Sequence, residues 1–283
     1  MLNRRTLLKT AGSLTAAGLL TGLYTWKIEP YWLEFVEHEL PIRHLPKQLR
    51  GITLLQISDM HIGNRFDYQY IIDSFDEARA YKPEIVVYTG DFVSYEDSNQ
   101  FDQLREVMVH AVHGSLGTVG ILGNHDYGPK WLENDVADNI AGVLNAAGVD
   151  VLRNEARTIA GLNLIGMDDY WGTNFHPKRA LKHYRPGEAN LVLCHNPDVC
   201  DLDCWNGYQG WILAGHTHGG QCKPPFLPPP ILPVKNERYT AGEFDLEDGR
   251  MLYINRALGC SFPVRFNARP EITVFTLLEG VFS

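Results

Sequence analysis

The chain has 283 residues, 45% of them apolar, which is enough to bury the core of one large domain or two small ones. Its formal charge is −9; residues 1–30 hold four bases against one acid, leaving 21 bases, 33 acids and a net −12 on the remainder. Such a body repels a long polyanion, so nucleic acid is not expected as a partner. The absence of any eighteen-residue apolar window after residue 30, and of any fixed-period repeat, argues against a polytopic membrane protein or a solenoid.

In chain order, the first element is a leader. Residues 1–9 read MLNRRTLLK, and a weakly apolar stretch rich in Gly, Ala and Thr follows. With Arg4 and Arg5 paired, Leu7 and Leu8 after them and Lys9 next, it resembles a twin-arginine export signal; an ordinary secretory signal or a basic helix start is the alternative. The expected partner is the twin-arginine translocase, and the expected location is the periplasm or the outer face of the cytoplasmic membrane. Trp26, Tyr31 and Trp32 stand where a small-residue cleavage site is sought, so residues 1–30 are read as a signal or a retained anchor with those aromatics at the membrane interface.

The body then alternates. Ile52–Ser58 reads as a buried strand, Tyr68–Tyr81 as a helix closed by Pro83, Glu84–Thr89 as a strand, and Phe101–Val112 as a helix. Thr118–Leu122 is a third strand and Trp131–Ala147 a helix; Val151–Met167 is hairpin-like with Gly161 at its turn. Asn190–Cys194 and Trp211–Ala214 are short strands, and Tyr239–Leu278 reads as strands joined at Asp248-Gly249. Strands and helices alternating early, with hairpins late, predict an α/β domain whose site lies at the strand C-termini. No linker divides the body, so residues 31–283 are expected to form one domain. Five cysteines (Cys194, Cys200, Cys204, Cys222, Cys260) without a CxxC pair suggest no zinc ribbon; buried free thiols are expected, with one bridge left open as an alternative.

Five polar clusters directly follow predicted strands: Asp59-Met60-His61, Gly90-Asp91, Gly123-Asn124-His125-Asp126, His195, and Gly215-His216-Thr217-His218. Singly, each is better read as a cap. Five in succession are not, because buried Asp and His carry a desolvation penalty of several kcal/mol per ion that a cation offsets. The donors are nitrogen and oxygen without thiolate, which suits Mn, Fe or Zn.

In this order, D-x-H, GD, GNHD, H and GHTH resemble the calcineurin-like metallophosphoesterase superfamily, from about Ile52 to His218 and onward if GHTHGGQ is included. The resemblance implies an α/β fold, a four-layer α/β/β/α sandwich with two mixed sheets, and two divalent metal ions between the loops. It implies Asp59, His61 and His218 around the first metal, Asn124, His195 and His216 around the second, and Asp91 bridging them. Two cations roughly 3.5–4 Å apart then share a water that becomes the attacking hydroxide. His125, adjacent to a ligand and not needed as one, is the candidate donor of a proton to the leaving oxygen; a phosphate hydrogen-bond donor is its alternative role. Many family members carry GDxxD, whose second Asp supports the catalytic histidine. Here that position is Ser94, and Asp126 is the candidate substitute. The two-arginine pattern of the protein phosphatases is also missing, since Tyr127 and Gly128 follow GNHD.

The leader, GHTHGGQ and the phrase NRALGCSFPVRFNARPEI look most like a bacterial subgroup of exported or membrane-associated phosphodiesterases, some of which are UDP-2,3-diacylglucosamine pyrophosphatases. The stretch PPFLPPPILP, residues 224–233, reads either as a packed extended connection or as a stiff apolar wall beside the site, suited to an acyl chain or a bilayer surface. Arg256, and Arg265 or Arg269, are candidates for phosphate contact, although solvated arginines are commoner. The leading expectation is a metal-dependent hydrolase of phosphodiester or pyrophosphate bonds acting at the membrane on a lipid-linked or nucleotide-linked substrate. A phosphomonoesterase with the same metals and a non-catalytic metal-holding interaction module are the alternatives.

Overall fold

The computed structural model describes residues 3–280; the first two positions of the expected leader and the last three of the expected domain lie outside the described residues. In chain order the elements are α1 (Arg4–Lys27), β1 (Glu34–Ile42), β2 (Thr53–Ile57), α2 (Tyr68–Ala78), β3 (Ile85–Thr89), α3 (Asn99–Met108), β4 (Gly117–Ile121) and α4 (Asn134–Ala146). They continue with β5 (Asp150–Val151), β6 (Glu155–Ile159), β7 (Leu162–Gly166), α5 (Pro177–Ala180), β8 (Ala189–Leu193), β9 (Gly210–Ala214), β10 (Gly242–Asp245), β11 (Arg250–Ile254) and β12 (Glu271–Glu279). One six-stranded sheet runs β1-β12-β2-β3-β4-β5, and a second runs β10-β11-β9-β8-β7-β6. Both are mixed: β12 is antiparallel to β2 in the first, and the second has an antiparallel pair at each edge.

Because successive strand residues point to opposite faces, each apolar run divides between two cores. Leu54, Ile85, Val87 and Ile121 meet Leu164, Leu191 and Leu213 between the sheets. Leu55, Ile57, Val86 and Tyr88 point the other way, under α2, α3 and α4. Val192, Ile212 and Leu252 pack beneath α5 and its neighbouring turns. The four layers are therefore helix, sheet, sheet and helix, the last layer being one short helix and several single turns.

Several boundaries differ from the sequence expectation. Helix α4 begins at Asn134 because Trp131 has a left-handed backbone, φ 61°, which a helix does not accommodate. Helix α3 stops at Met108, and Val151 pairs with Gly120 in the first sheet instead of joining the hairpin. The hairpin proper is β6–β7, turned by Ala160 and Gly161, both at positive φ as a two-residue primed turn requires. Strand β1 was not anticipated. It is half-exposed, with only Leu40 and Ile42 fully buried, and it gains its place by parallel pairing with β12.

Helix α1 stands clear of the body with Leu8, Leu14, Leu19 and Leu20 exposed; among the described residues no helix is long and apolar enough to cross a membrane. Attachment begins near its end. The Thr25 carbonyl accepts from the Arg265 amide at 2.9 Å, and the buried Glu29 carboxylate accepts from the Ala268 amide at 2.7 Å. Trp26 and Trp32 are exposed, whereas Tyr31 stacks on Phe66 with centroids 5.3 Å apart, so it belongs to the body's packing.

The three arginines considered for phosphate contact serve the scaffold instead. Arg256 pairs with Glu271 and Glu34, and Arg269 donates to the carbonyls of Trp32 and Leu33. Arg265 is fully buried and donates to the carbonyls of Arg256, Ala257, Gly259 and Ala268 at 2.6–3.2 Å. Replacing that fork with an apolar chain leaves several buried carbonyls unpaired, each costing about 1–3 kcal/mol. Arg265→Met is therefore expected to lower unfolding free energy by about 3 kcal/mol or more, as read from urea denaturation.

Candidate metal centre

Every sequence-predicted site residue follows the C-terminal end of a strand. β2, β3 and β4 are parallel neighbours in one sheet and β8 and β9 in the other, so their following loops meet above the seam between the sheets. The loops are stitched to one another: Asp59 N–H donates to Gly90 O, His61 N–H to Asp91 O and Gly215 N–H to His195 O, all at 2.9–3.0 Å. Asp59, His61, Asp91, His216 and His218 have φ between 49° and 73°. Left-handed backbone costs an L-residue roughly 1–2 kcal/mol, and here it turns five side chains off their strand directions toward a common point. Two glycines make the approach sterically feasible. A Cβ at Gly123 would lie 2.3 Å from Asp91 Oδ1, and one at Gly215 would lie 2.1 Å from Ser58 Oγ.

The structure brings all seven expected ligands and His125 together. Asp59, His61 and His218 form one group whose donor atoms all lie within 4.8 Å of each other, and Asp91, His195 and His216 form a second. His61, Asp91 and His125 form a third overlapping group. Asp91 Oδ2 is 3.1 Å from His195 Nε2 and 3.7 Å from His61 Nε2, which places it between the first two. Asn124 Oδ1 is buried and without a hydrogen-bond partner. His61 Nε2 and His218 Nε2 face each other at 2.9 Å, and His195 Nε2 faces His216 Nδ1 at 3.2 Å.

The outward nitrogens explain which inward lone pairs are free. His195 Nδ1 lies 2.7 Å from the Thr89 carbonyl and His216 Nε2 lies 2.8 Å from the Pro233 carbonyl, so each ring directs an N–H outward there and turns its other nitrogen toward the cluster. His61 Nδ1 is 2.9 Å from Ser94 Oγ, so Ser94 orients His61. Asp126, considered as a support for the catalytic histidine, does something else. Its carboxylate accepts from the backbone N–H groups of Phe92, Val93 and Gly123 and clamps two loops together. His125 is instead tethered through its own N–H, which donates to Asp91 Oδ1 at 2.8 Å.

Burial pushes the Asp59 and Asp91 carboxyls up, but facing imidazoles, His195 foremost, bring both below the ordinary carboxylate range. Burial pulls His195 down, and the Asp91 and Asp59 carboxylates more than reverse it. His61 is held well below its usual value by burial and by His218, and His216 falls to about 3 through burial and His195. Two ionised carboxylates, a lone amide oxygen and inward imidazole nitrogens make a donor set suited to borderline divalent cations, and the orphaned Asn124 oxygen is the atom that such a cation satisfies.

A cavity of about 510 Å³ opens over the cluster. Trp131, Trp171, Pro230, Ile231, Pro233 and Phe262 are its large apolar lining residues, so the Pro-rich stretch forms part of the wall of the site. The two tryptophans were not legible as site residues. Nor was Asp169, which is buried, accepts from the N–H groups of Trp171 and Gly172 at 2.8 and 3.1 Å, and leaves Oδ2 without a partner. The signal was available, since Asp168-Asp169 stands just beyond a strand end as the other site carboxylates do. The cysteines are free: four are buried, and Cys222 is half-buried in the cavity lining.

Two mixed sheets whose strand ends gather carboxylates, an amide and imidazoles under an open cavity have the construction of a metal-dependent hydrolase. Residues 52–220, more than half of the chain, match the family described as calcineurin-like phosphoesterase, and the protein belongs to that family. It is 31% identical to the metallophosphoesterase YkuE of Bacillus subtilis over 289 residues, covering 98% of each chain. It is 30% identical to phosphodiesterase YaeI of Escherichia coli, over 98% of this chain and 100% of that one. It is 25% identical to the UDP-2,3-diacylglucosamine pyrophosphatase LpxG of Chlamydia trachomatis, over 94% and 95% respectively.

Burial raises the Asp169 carboxyl to about 7. The folded protein thus keeps a proton that the unfolded chain releases near pH 4, so the contribution of Asp169 to stability is fully present at low pH and is lost as pH rises toward about 7. In chelator-treated protein, Asp169→Asn is expected to raise the melting temperature relative to the parent by about 2 °C or more at pH 8, and by less at pH 5. Equal effects at the two pH values would refute this assignment.

Proposed function

We propose that this hydrolase uses two divalent metals, of the Mn, Fe or Zn kind, to cleave phosphodiester or pyrophosphate bonds. The observation that carries the reading is the place of Asp91, whose Oδ2 lies between the Asp59/His61/His218 group and the His195/His216 pair. On this reading Asp59, His61 and His218 would hold one metal and Asn124, His195 and His216 the other, with Asp91 available to both. When bound, such a pair supplies Lewis acidity toward phosphoryl oxygens and lowers the pKa of water.

The chain's own groups do the rest. Asn124 is a neutral ligand, so the centre keeps net positive charge for a phosphate. Asp91 Oδ1 holds the His125 backbone, so that the ring stands over the cavity beside His61, centroids 5.0 Å apart, where it delivers a proton to the leaving oxygen. His195, His216 and His61 are kept in one orientation by Thr89, Pro233 and Ser94. The apolar wall excludes water from the approach to the phosphate and provides a surface for a lipid-like arm.

A diester is favoured over a monoester by the lining itself. No Arg or Lys is among the described residues that line the cavity, and its organic walls leave room for two substituents on phosphorus. A terminal phosphate with two charges gains from added cationic side chains, whereas a singly charged diester with two organic arms does not need them. The names carried by YaeI and LpxG, a phosphodiesterase and a pyrophosphatase of a lipid-bearing nucleotide sugar, support a lipid-linked or nucleotide-linked substrate here. The Arg4-Arg5 pair and the exposure of α1 support export through the twin-arginine translocase, with residues 1–30 as leader or anchor, residues 31–283 as the catalytic domain, and action in the periplasm or at the outer face of the cytoplasmic membrane.

With metal-reconstituted full-length protein, kcat/KM for bis(p-nitrophenyl) phosphate is expected to exceed that for p-nitrophenyl phosphate by about tenfold or more. The opposite preference identifies a monoesterase, and a folded, metal-loaded protein inactive on both is a binding module. Asp91→Ala should lose turnover and metal together by elemental analysis. His125→Ala should keep its metal and lose roughly 10²–10⁴-fold in kcat; a variant as fast as the parent removes His125 from proton transfer.

A further inference from the structure

Among the residues that line the cavity, Trp131 and Trp171 have no part in the chemistry assigned so far. The two indoles stack with centroids 4.8 Å apart and planes 25° from parallel. Trp131 sits 6.1 Å from the His125 ring and Trp171 sits 4.6 Å from the His216 ring, so the stack starts where the reacting phosphate is to be bound. Each indole is held by its own loop. Trp131 has φ 61°, a conformation that a bulky residue adopts only under constraint, and its amide donates to Gly128 O at 3.0 Å. The Trp171 amide donates to the buried Asp169 carboxylate, and the two loops are latched by Thr173 Oγ1 donating to Asn134 Oδ1 at 2.6 Å. A merely apolar cover needs neither the strained backbone nor the parallel rings.

The geometry points to Trp131 and Trp171 as a specificity-determining platform on which the nucleobase of a nucleotide-linked substrate adds a third layer to the stack while its phosphate lies on the buried cluster. The inference rests on the phosphodiesterase reading above, since only a phosphate at that cluster brings the base to these rings. The net −12 on the body disfavours a long polynucleotide and suits a mononucleotide unit better. Pro230, Ile231 and Phe262, which also line the cavity, are left for the other arm.

Base stacking on an aromatic side chain is worth about 1–3 kcal/mol by alanine substitution, roughly 5- to 150-fold in affinity. The test is calorimetric binding of adenosine 5′-monophosphate and of ribose 5-phosphate, which has the same sugar phosphate and no base, to the metal-supplemented full chain. The parent is expected to bind the nucleotide at least about fivefold more tightly. Trp171→Ala and Trp131→Gly are expected to close that gap while leaving ribose 5-phosphate affinity within about twofold. Glycine is chosen at Trp131 because it accepts positive φ without strain, so this variant folds even if an alanine there does not. Equal binding of the two probes by the parent, or a gap that survives in both variants, overturns the platform. Failure of the phosphodiesterase reading shows separately, as absent turnover of bis(p-nitrophenyl) phosphate in the same parent preparation.

Discussion

The confrontation of two buried carboxylates with the imidazoles around them is what the rest of this molecule is arranged to sustain. Asp59 and Asp91 are essentially inaccessible to solvent, and so are His61 and His195. Removed from water, such charges cost several kcal/mol each unless something of opposite charge meets them. The protein supplies part of that compensation through hydrogen bonds, with the His216 amide donating to Asp59 and the His125 amide to Asp91. Imidazole nitrogens facing one another and a lone amide oxygen leave the remainder to a cation.

Holding that arrangement requires a backbone most sequences avoid. Five candidate ligand positions lie in the left-handed region, and Gly123 and Gly215 sit where no side chain fits. The strain is tolerable because the loops carrying it are anchored on parallel strands buried on both faces, and because Asp126 ties the loop after β3 to the loop after β4. Stability in the two sheets thus underwrites poor local geometry at the one place where chemistry is done.

How much of this could be read from the chain alone follows from the range over which each feature is determined. The five clusters that contain Asp59, His61, Asp91, Asn124, His195, His216 and His218 were legible because each follows a short apolar run, and strand-end polarity is a local signal; the choice of these seven within the clusters came from the family resemblance. The apolar runs made the individual strands legible, whereas their division into two sheets was implied by the family resemblance. Strand β1 was not, since its half-exposed pattern is weak and its position depends on β12, more than two hundred residues away. The start of α4 was misplaced because the positive φ of Trp131 is imposed by its surroundings and leaves no compositional trace. Arg256, Arg265 and Arg269 illustrate the reverse: their residue type invites a phosphate, and only the packed structure shows their hydrogen bonds already committed to carbonyls and carboxylates.

The junction between α1 and the body has a consequence for handling the protein. Glu29 is buried beneath the segment that runs from Cys260 to Arg269, and that segment also contributes Ser261 and Phe262 to the cavity. A shortened chain starting at residue 31 deprives the Ala268 amide of its acceptor and the Arg265 amide of the Thr25 carbonyl, loosening one side of the substrate's entrance from a distance. A shortened version that preserves the entrance therefore has to begin upstream of Thr25, and proteolytic trimming of α1 reports on the shape of the cavity.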